Sequence, residues 1–159
     1  MHADWGLRCW LVNRPPPDKL LEFLAPFTED VVEVALALRA RVLESLPNMH
    51  EVVWDATNAV TVVYTPTTRW QDGLCHTPAY SRHVNLGFND GAGLSDPLGI
   101  LVGTGARVRH VMMRTCEDVA RAWVPDYLLA AANRAGVSTD AGDGGLTVRR
   151  SAGPKRRPS

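Results

Sequence analysis

Cysteine is scarce in this chain, and its placement excludes two classes of small protein. The sequence contains three cysteines, Cys9, Cys75 and Cys116, which are widely separated and form no CxxC pair. An odd number of isolated cysteines argues against a disulfide framework and against a zinc ribbon. We therefore expect free thiols and a fold held together by its hydrophobic core, for which a chain of 159 residues is long enough.

Long apolar runs are also missing. No stretch approaches the roughly 20 apolar residues that a membrane-spanning helix requires. The first 18 residues lack the basic region, short apolar segment and small-residue cleavage site of a secretory signal. These absences predict a cytoplasmic protein without a membrane span.

The formal net charge is zero, but it is unevenly distributed. The residues from Leu146 onward include five basic and no acidic side chains, whereas the first 145 residues carry 12 basic and 17 acidic ones, a net charge of −5. Because affinity for phosphate backbones comes from clustered Lys and Arg, nucleic acid is not an expected partner, except through the end "RRSAGPKRRPS". The Gly, Pro and Ser content of that end predicts a disordered basic tail over residues 138–159.

Several well-known catalytic and cofactor motifs are absent as well. A phosphate-binding loop needs glycines directly before a helix, but Gly103 and Gly105 precede a predicted strand, and Val108 occupies the third glycine position of a GxGxxG pattern. The sequence has no HExxH pattern for zinc and no GxSxG nucleophile elbow. No cofactor is predicted, and catalytic residues cannot be assigned from these patterns.

The segments that are present alternate in type along the chain. Apolar residues recur at helical spacing after Thr28 until Pro47, and Pro125 and Gly136 mark the start and the C-cap of a last helix. Thr115 and Asp118 resemble a capping box before that helix. Between the helices, runs rich in β-branched and aromatic residues predict about five strands, in "EVVWDATNAVTVVYT", "LCHTPAY", "HVNLGF" and "ARVRHVMMR".

Strands that follow one another through short connections pair in antiparallel fashion. The order helix, strands, helix therefore predicts an α+β fold, with a twisted antiparallel sheet of about five strands and the N- and C-terminal helices packed on one face. We divide the chain into an N-terminal extension at residues 1–18, a single domain at 19–137 and the tail at 138–159.

Polar residues surround the glycine-rich stretch that separates the last two predicted strands. Loops of this length inside compact domains are often binding loops. The sequence therefore predicts a ligand site here, formed by His83, Asn85, Asp96, Arg107, Arg109 and His110.

The first helix offers a different type of site. Its outer side carries Glu29, Asp30, Glu33 and Glu44, an acidic face to which hard cations such as iron or calcium bind weakly. A solvated helix face explains the same charges, and Arg41 interrupts the row.

Residues 47–135 resemble the YdhG-like family, a group of bacterial domains of unknown function. The similarity lies in "EVVWDATNAVTVVYTPT", "HVNLGFNDGAGLSDP" and "GILVGTGARVRHV". It implies a compact α+β fold that is similar to frataxin-like domains. Some relatives have been called frataxin-like iron chaperones, which implies iron binding at the acidic positions of the first helix.

Three functional hypotheses follow. The leading one is a non-enzymatic module that binds a small molecule or a protein at the polar sheet face and the glycine-rich loop. The second is a frataxin-like iron-binding chaperone that uses the acidic helix. The third is a small enzyme whose acid or base is a histidine or a carboxylate.

Overall fold

The structure, a computed structural model, describes residues 14–140 and 144–159. Cys9 and most of the predicted extension at 1–18 lie outside the described residues. The described chain forms four helices and six strands. The helices are α1 (Asp18–Leu24), α2 (Glu29–Ser45), α3 (Cys116–Val119) and α4 (Trp123–Ala135), and the strands are β1 (His50–Asp55), β2 (Val60–Thr65), β3 (Cys75–His76), β4 (Val84–Phe88), β5 (Arg109–Met113) and β6 (Leu146–Arg150).

The helix ends follow the local signals in the sequence. Helix α2 begins directly after Thr28 and ends two residues before Pro47. Thr115 and Asp118 form the predicted capping box at α3. Helix α4 ends at Gly136, whose φ of 67° is readily adopted only by glycine. None of these helices is both long and apolar enough to cross a membrane.

The strands form one sheet in the order β5-β4-β3-β2-β1-β6. Strands β1 to β5 pair with their neighbours in antiparallel fashion, as the short connections predict, but β6 pairs with β1 in parallel. The α+β class is therefore confirmed. The sheet is mixed and has six strands rather than about five antiparallel ones.

The sixth strand corrects the expectation of a disordered tail over residues 138–159. β6 extends the sheet at β1, and the chain after it turns back towards the β1–β2 turn. Asp55 forms ion pairs with Lys155 and Arg157, and Lys155 also donates to the Asp55 carbonyl oxygen at 3.1 Å. Amino-acid composition does not predict this strand, because each β6 residue pairs with a β1 residue that lies 95 positions earlier in the chain.

One face of the sheet packs against the helices, and we call it the inner face. Val53, Val62, Val84, Leu86 and Phe88 from this face share the main core with α1, α2 and α4. Because side chains alternate along a strand, the residues between them point to the opposite side, the outer face.

The outer face carries no carboxylate among its strand residues. It consists of His50, Val52, Trp54, Thr61, Val63, Thr65, His76, Asn85, Gly87, His110, Met112, Thr147 and Arg149. At the β1–β2 side, Trp54 and Trp70 contact edge to face at 5.2 Å, and the Arg149 guanidinium stacks on Trp54 at 4.6 Å. This cluster occupies the outer face at β1 and β2.

Residues 89–108 connect β4 to β5 and include the glycine-rich segment. Gly99 and Gly103 have positive φ values of 64° and 138°, which favour glycine. A strand, not a helix, follows Gly105, and Val102 folds back to form a two-way backbone bridge with His110. The loop is thus an ordered connection. It contains one 3-10 turn at Gly91–Gly93 but no α-helix after its glycines, which a phosphate-binding loop would need.

A buried ion pair joins α2 to β1. The Arg39 Nε donates to Glu51 Oε2 at 2.7 Å, and Arg39 Nη2 donates to Glu51 Oε1 at 2.8 Å. Both residues are 1% exposed. The other Arg39 donors bind the Arg14 and Pro15 carbonyl oxygens, and the Arg14 side chain bonds the Pro47 and Met49 carbonyl oxygens. The pair therefore also fixes the segment before α1.

We expect Glu51→Gln to destabilise the fold strongly, because it leaves the buried Arg39 charge without its counter-ion. Loss of one partner of such a pair costs about 3–5 kcal/mol. The double variant Arg39→Met/Glu51→Leu should recover most of that loss, since no buried charge remains. Urea unfolding measures these changes. Glu22→Gln, at the exposed Lys19–Glu22 pair, is the control, and an equal effect of the two single variants would contradict this account.

Gly87 is predicted to be essential for packing on the outer face. A Cβ atom at this position would overlap the His76 imidazole, which lies over Gly87 and binds Asn89 Oδ1 through Nδ1 at 2.8 Å. We expect Gly87→Ala to lower the free energy of unfolding by about 1–3 kcal/mol. Gly105→Ala is the matched control because an added Cβ there meets nothing within 4 Å. Equal unfolding curves for the two variants would refute the packing role.

Candidate functional site

The structure separates the predicted ligand residues into groups at opposite ends of β4 and β5. Val84 pairs with Met113, and Phe88 pairs with Arg109. His83 therefore lies at one end of this strand pair, whereas Arg107 and Arg109 lie at the other, at least about 16 Å away along the strands. Asn85 and His110 lie between these ends on the outer face.

Residues at the loop end of the strands have partners within the loop. Asp96 accepts hydrogen bonds from the Tyr127 hydroxyl at 2.7 Å and from the Ile100 and Leu101 amides, each at 3.0 Å. Burial acts to raise the pKa of Asp96, but these hydrogen bonds outweigh it and lower the pKa. The Arg109 Nη1 donates to two carbonyl oxygens of its own loop. These contacts order the loop.

Arg107 is also engaged there. Its Nε lies 3.8 Å from Asp90 Oδ1, and the other Asp90 oxygen accepts from Arg134 Nε at 3.0 Å. Asp90 thus neutralises part of the positive charge at this end. The six predicted residues do not form one site, although His83, Asn85 and His110 remain on neighbouring positions.

A cavity of about 240 Å³ opens at the other end, where His83 lies. It is enclosed by the start of α2, the turn before β4 and the end of β5. Its lining residues are Thr28, Asp30, Val31, Val34, Ser81, Arg82, His83, Met113 and Arg114. An apolar floor from α2 and β5 thus meets a polar and mostly basic rim.

The register of the sheet explains why the basic residues converge. Val84 pairs with Met113, so the next residues outward, His83 and Arg114, face each other across the strand pair. Arg82 precedes His83 in the same turn. Among residues 14–140 and 144–159, no carboxylate lies within 4.0 Å of the Arg82 or Arg114 guanidinium. Both arginines are exposed and their charges are not neutralised by an ion pair.

The start of α2 contributes donors to the same cavity. The first intrahelical amide bond of α2 runs from Val32 to the Thr28 carbonyl oxygen, so the amides of Glu29, Asp30 and Val31 have no partner in the helix. Thr28 is the N-cap residue, but its hydroxyl does not accept a capping bond. Asp30 adds one negative charge to the rim. With two arginines and a neutral histidine, the lining retains a net charge of +1.

The pKa of His83 is shifted by this environment. Burial lowers it below the ordinary value of 6.5, and the positive charges of Arg114 and His110 lower it further. His83 also stacks on Tyr80, with ring centroids 5.0 Å apart and an interplanar angle of 30°. The imidazole is therefore neutral at pH 7 and is held by an aromatic neighbour beside the cavity.

Sequence reasoning identified His83 but missed Arg82, Arg114, Ser81 and Thr28. Their positions relative to the strands could have revealed them. Ser81, Arg82 and His83 come directly before β4, and Arg114 comes directly after β5. Once the two strands are paired in antiparallel fashion, these residues must meet. The contribution of α2 depends on tertiary packing and leaves no local pattern.

The acidic residues predicted for iron are spread along α2. Glu29, Asp30, Glu33 and Glu44 are all exposed, and Glu29 and Glu44 are about 22 Å apart along the helix axis. Arg41 lies 3.7 Å from Glu44. Within the described part of the chain, no group of three or more His, Cys, Asp or Glu side chains is placed to hold a metal ion.

We expect His83 to titrate below pH 6.5 in an NMR titration of the imidazole signals. Because the unfolded chain then binds the proton more readily than the folded protein, His83 contributes stability that is lost as the pH falls through 6.5. Arg114→Ala should raise the midpoint, since it removes a nearby positive charge. Arg69→Ala, in the loop at the β1–β2 side, should leave it unchanged. A midpoint above 6.5 would contradict the described environment.

Comparison of the chain with models of known protein families, with curated proteins and with solved structures finds no match. The similarity to the YdhG-like family therefore stays a hypothesis that is based on the sequence segments alone.

Proposed function

We propose that the protein is a non-enzymatic binding module for a small anionic ligand, with the cavity between α2, β4 and β5 as its site. The single observation that carries this proposal is the pair of arginines, Arg82 and Arg114, that line the cavity and have no carboxylate partner in the part of the chain that the structure describes. Arginine is suited to carboxylate and phosphate groups because its planar guanidinium donates two parallel hydrogen bonds.

The remaining lining supports an anion over a cation. The amides of the first turn of α2 point their hydrogens towards the cavity end of the helix, where the helix dipole favours negative charge. Thr28 and Ser81 add hydroxyl groups. The negative charge of Asp30 repels an anion, but the two positive charges of the arginines exceed it. The apolar floor of Val31, Val34 and Met113 excludes water from one side and strengthens these interactions.

This proposal narrows the leading hypothesis from the sequence. It keeps His83 as a ligand residue and replaces Arg107 and Arg109 with Arg82 and Arg114. Iron binding by the acidic helix and an acid–base enzyme remain hypotheses from the sequence, and no contact described above favours either of them.

We expect inorganic phosphate to shift the backbone amide signals of Glu29, Asp30 and Val31 and the side-chain signals of His83 in an NMR titration. The bound anion should also raise the pKa of His83, because a negative charge favours the imidazolium. Arg82→Ala/Arg114→Ala should weaken binding at least about tenfold, since each charge-assisted hydrogen bond contributes about 1.5–3 kcal/mol.

Arg107→Ala is the matched control, because it removes an exposed arginine at the opposite end of the strands. It should leave the phosphate affinity unchanged. Shifts confined to residues 103–109, or an equal loss of affinity in the control, would move the anion site to the glycine-rich loop and overturn the proposal.

A further inference from the structure

The cavity is too small for a complete ligand of drug size, for which pockets of about 300–1,000 Å³ are usual. At about 240 Å³ it holds an anionic group and a few attached atoms. The rest of such a ligand must lie outside the cavity. The adjoining surface is the outer face at β4 and β5, because His83 and Arg114 line the cavity and continue, one residue beyond each strand, the alternation that places Asn85 and Met112 on that face.

That surface begins at a pair of aromatic rings. The stacked rings of Tyr80 and His83 lie at the turn before β4 and are only partly buried. Aromatic side chains of this type stack on the rings of nucleobases. Each stacked base contributes to binding whichever of the bases it is. His83 lines the cavity and stacks on Tyr80. These two rings are therefore the aromatic groups nearest to a planar ring that is attached to an anion in the cavity.

Asn85 supplies a polar group that has no partner. Its Oδ1 atom is buried and accepts no hydrogen bond from the described residues. Rotation of the amide by 180° would place Nδ2 at the same position, so one polar atom stays unpaired in either orientation. Asn85 as a whole is only partly buried, so a ligand on the outer face reaches this atom once the side chain rotates outward. Because a buried polar atom without a partner is costly, a ligand that pairs with it removes that cost.

The position of Asn85 fits the same ligand. Asn85 lies two residues after His83 on the same strand face, about 7 Å away. An asparagine amide presents one donor and one acceptor side by side, which matches the donor and acceptor edge of a nucleobase such as adenine. The nearest outer-face residues on β5, His110 and Met112, are not acidic and do not repel a phosphate ester.

We propose that the ligand is a nucleoside monophosphate, with its phosphate in the cavity beside Arg82 and Arg114, its base stacked at Tyr80–His83 and the base edge bonded to Asn85. This inference rests on the proposed anion site and names its ligand class. It uses no glycine-rich phosphate loop, which agrees with the absence of such a motif in the sequence.

Calorimetric titration of the full chain with AMP, inorganic phosphate and benzoate tests the assignment. AMP is expected to bind at least about tenfold more tightly than phosphate, because it adds stacking and the Asn85 contacts. Benzoate has a ring and a negative charge but no donor edge for Asn85. It should bind no more tightly than phosphate.

Asn85→Leu separates the two parts of the site. It should reduce the AMP affinity about tenfold or more while leaving the phosphate affinity unchanged. Its thermal unfolding midpoint should stay the same or rise, since the variant removes an unpaired buried polar group. Thr61→Val is the matched control: Thr61 Oγ1 is also buried without a partner on the outer face, but on β2, away from the cavity.

The outcomes distinguish this inference from the function on which it rests. If phosphate binds through Arg82 and Arg114 but AMP binds no more tightly, the nucleotide assignment is wrong and the anion site remains. If neither phosphate nor AMP binds, both the anion site and the nucleotide assignment are wrong. If AMP binds tightly but Asn85→Leu has no effect, or Thr61→Val weakens binding equally, the assigned position of the base is wrong and the inference is overturned.

Discussion

The fold depends on the buried ion pair between Arg39 and Glu51. A charged group inside the core is stable only when all of its hydrogen-bonding capacity is satisfied, and here the guanidinium binds the carboxylate on one side and the Arg14 and Pro15 carbonyl oxygens on the other. This requirement orients α2 on the sheet and fixes the chain before α1. Because the start of α2 forms one wall of the candidate site, the geometry of that site follows from an interaction near the middle of the helix.

The same sheet has two chemically different faces. The inner face is mostly apolar, and its charged strand residues are Glu51, Asp55, Arg109 and Arg150. The described strand residues of the outer face include histidine, asparagine, threonine and tryptophan and no acidic side chain. The β1–β2 part of the outer face is occupied by Trp54 and Trp70, which contact edge to face, and by Arg149, which lies over the Trp54 ring. At β4 and β5 no such aromatic cluster covers the outer face among the described residues, and the buried Asn85 Oδ1 atom accepts no hydrogen bond from them. Together with the adjoining cavity, this arrangement is the reason why we propose a ligand site at β4 and β5 and not across the whole sheet.

Local sequence signals predicted the local parts of this structure. Pro47 and Gly136 mark helix ends because proline geometry and the left-handed C-cap act within a few residues, and Thr28 directly precedes α2 although its side chain makes no capping bond. Alternation in "HVNLGF" is likewise a local signal, and it predicts β4. Features that depend on distant partners were missed. Neither β6 nor the convergence of Arg82 with Arg114 leaves a local pattern, since both follow from strand pairing. The composition of the glycine-rich loop predicted a binding loop, but its Asp96 and Arg109 side chains form hydrogen bonds within the loop and order it.

The parallel pairing of β6 with β1 affects how the chain folds during synthesis. β1 and β6 are neighbours in the sheet, but about 90 residues separate them along the chain. Contacts with so large a sequence separation form late, because the intervening chain must first be available and ordered. While the ribosome makes the chain, β1 therefore presents an open edge to other strands until Leu146–Arg150 emerges. Nascent chains that stop short of this segment would carry that edge permanently, and exposed strand edges favour aggregation.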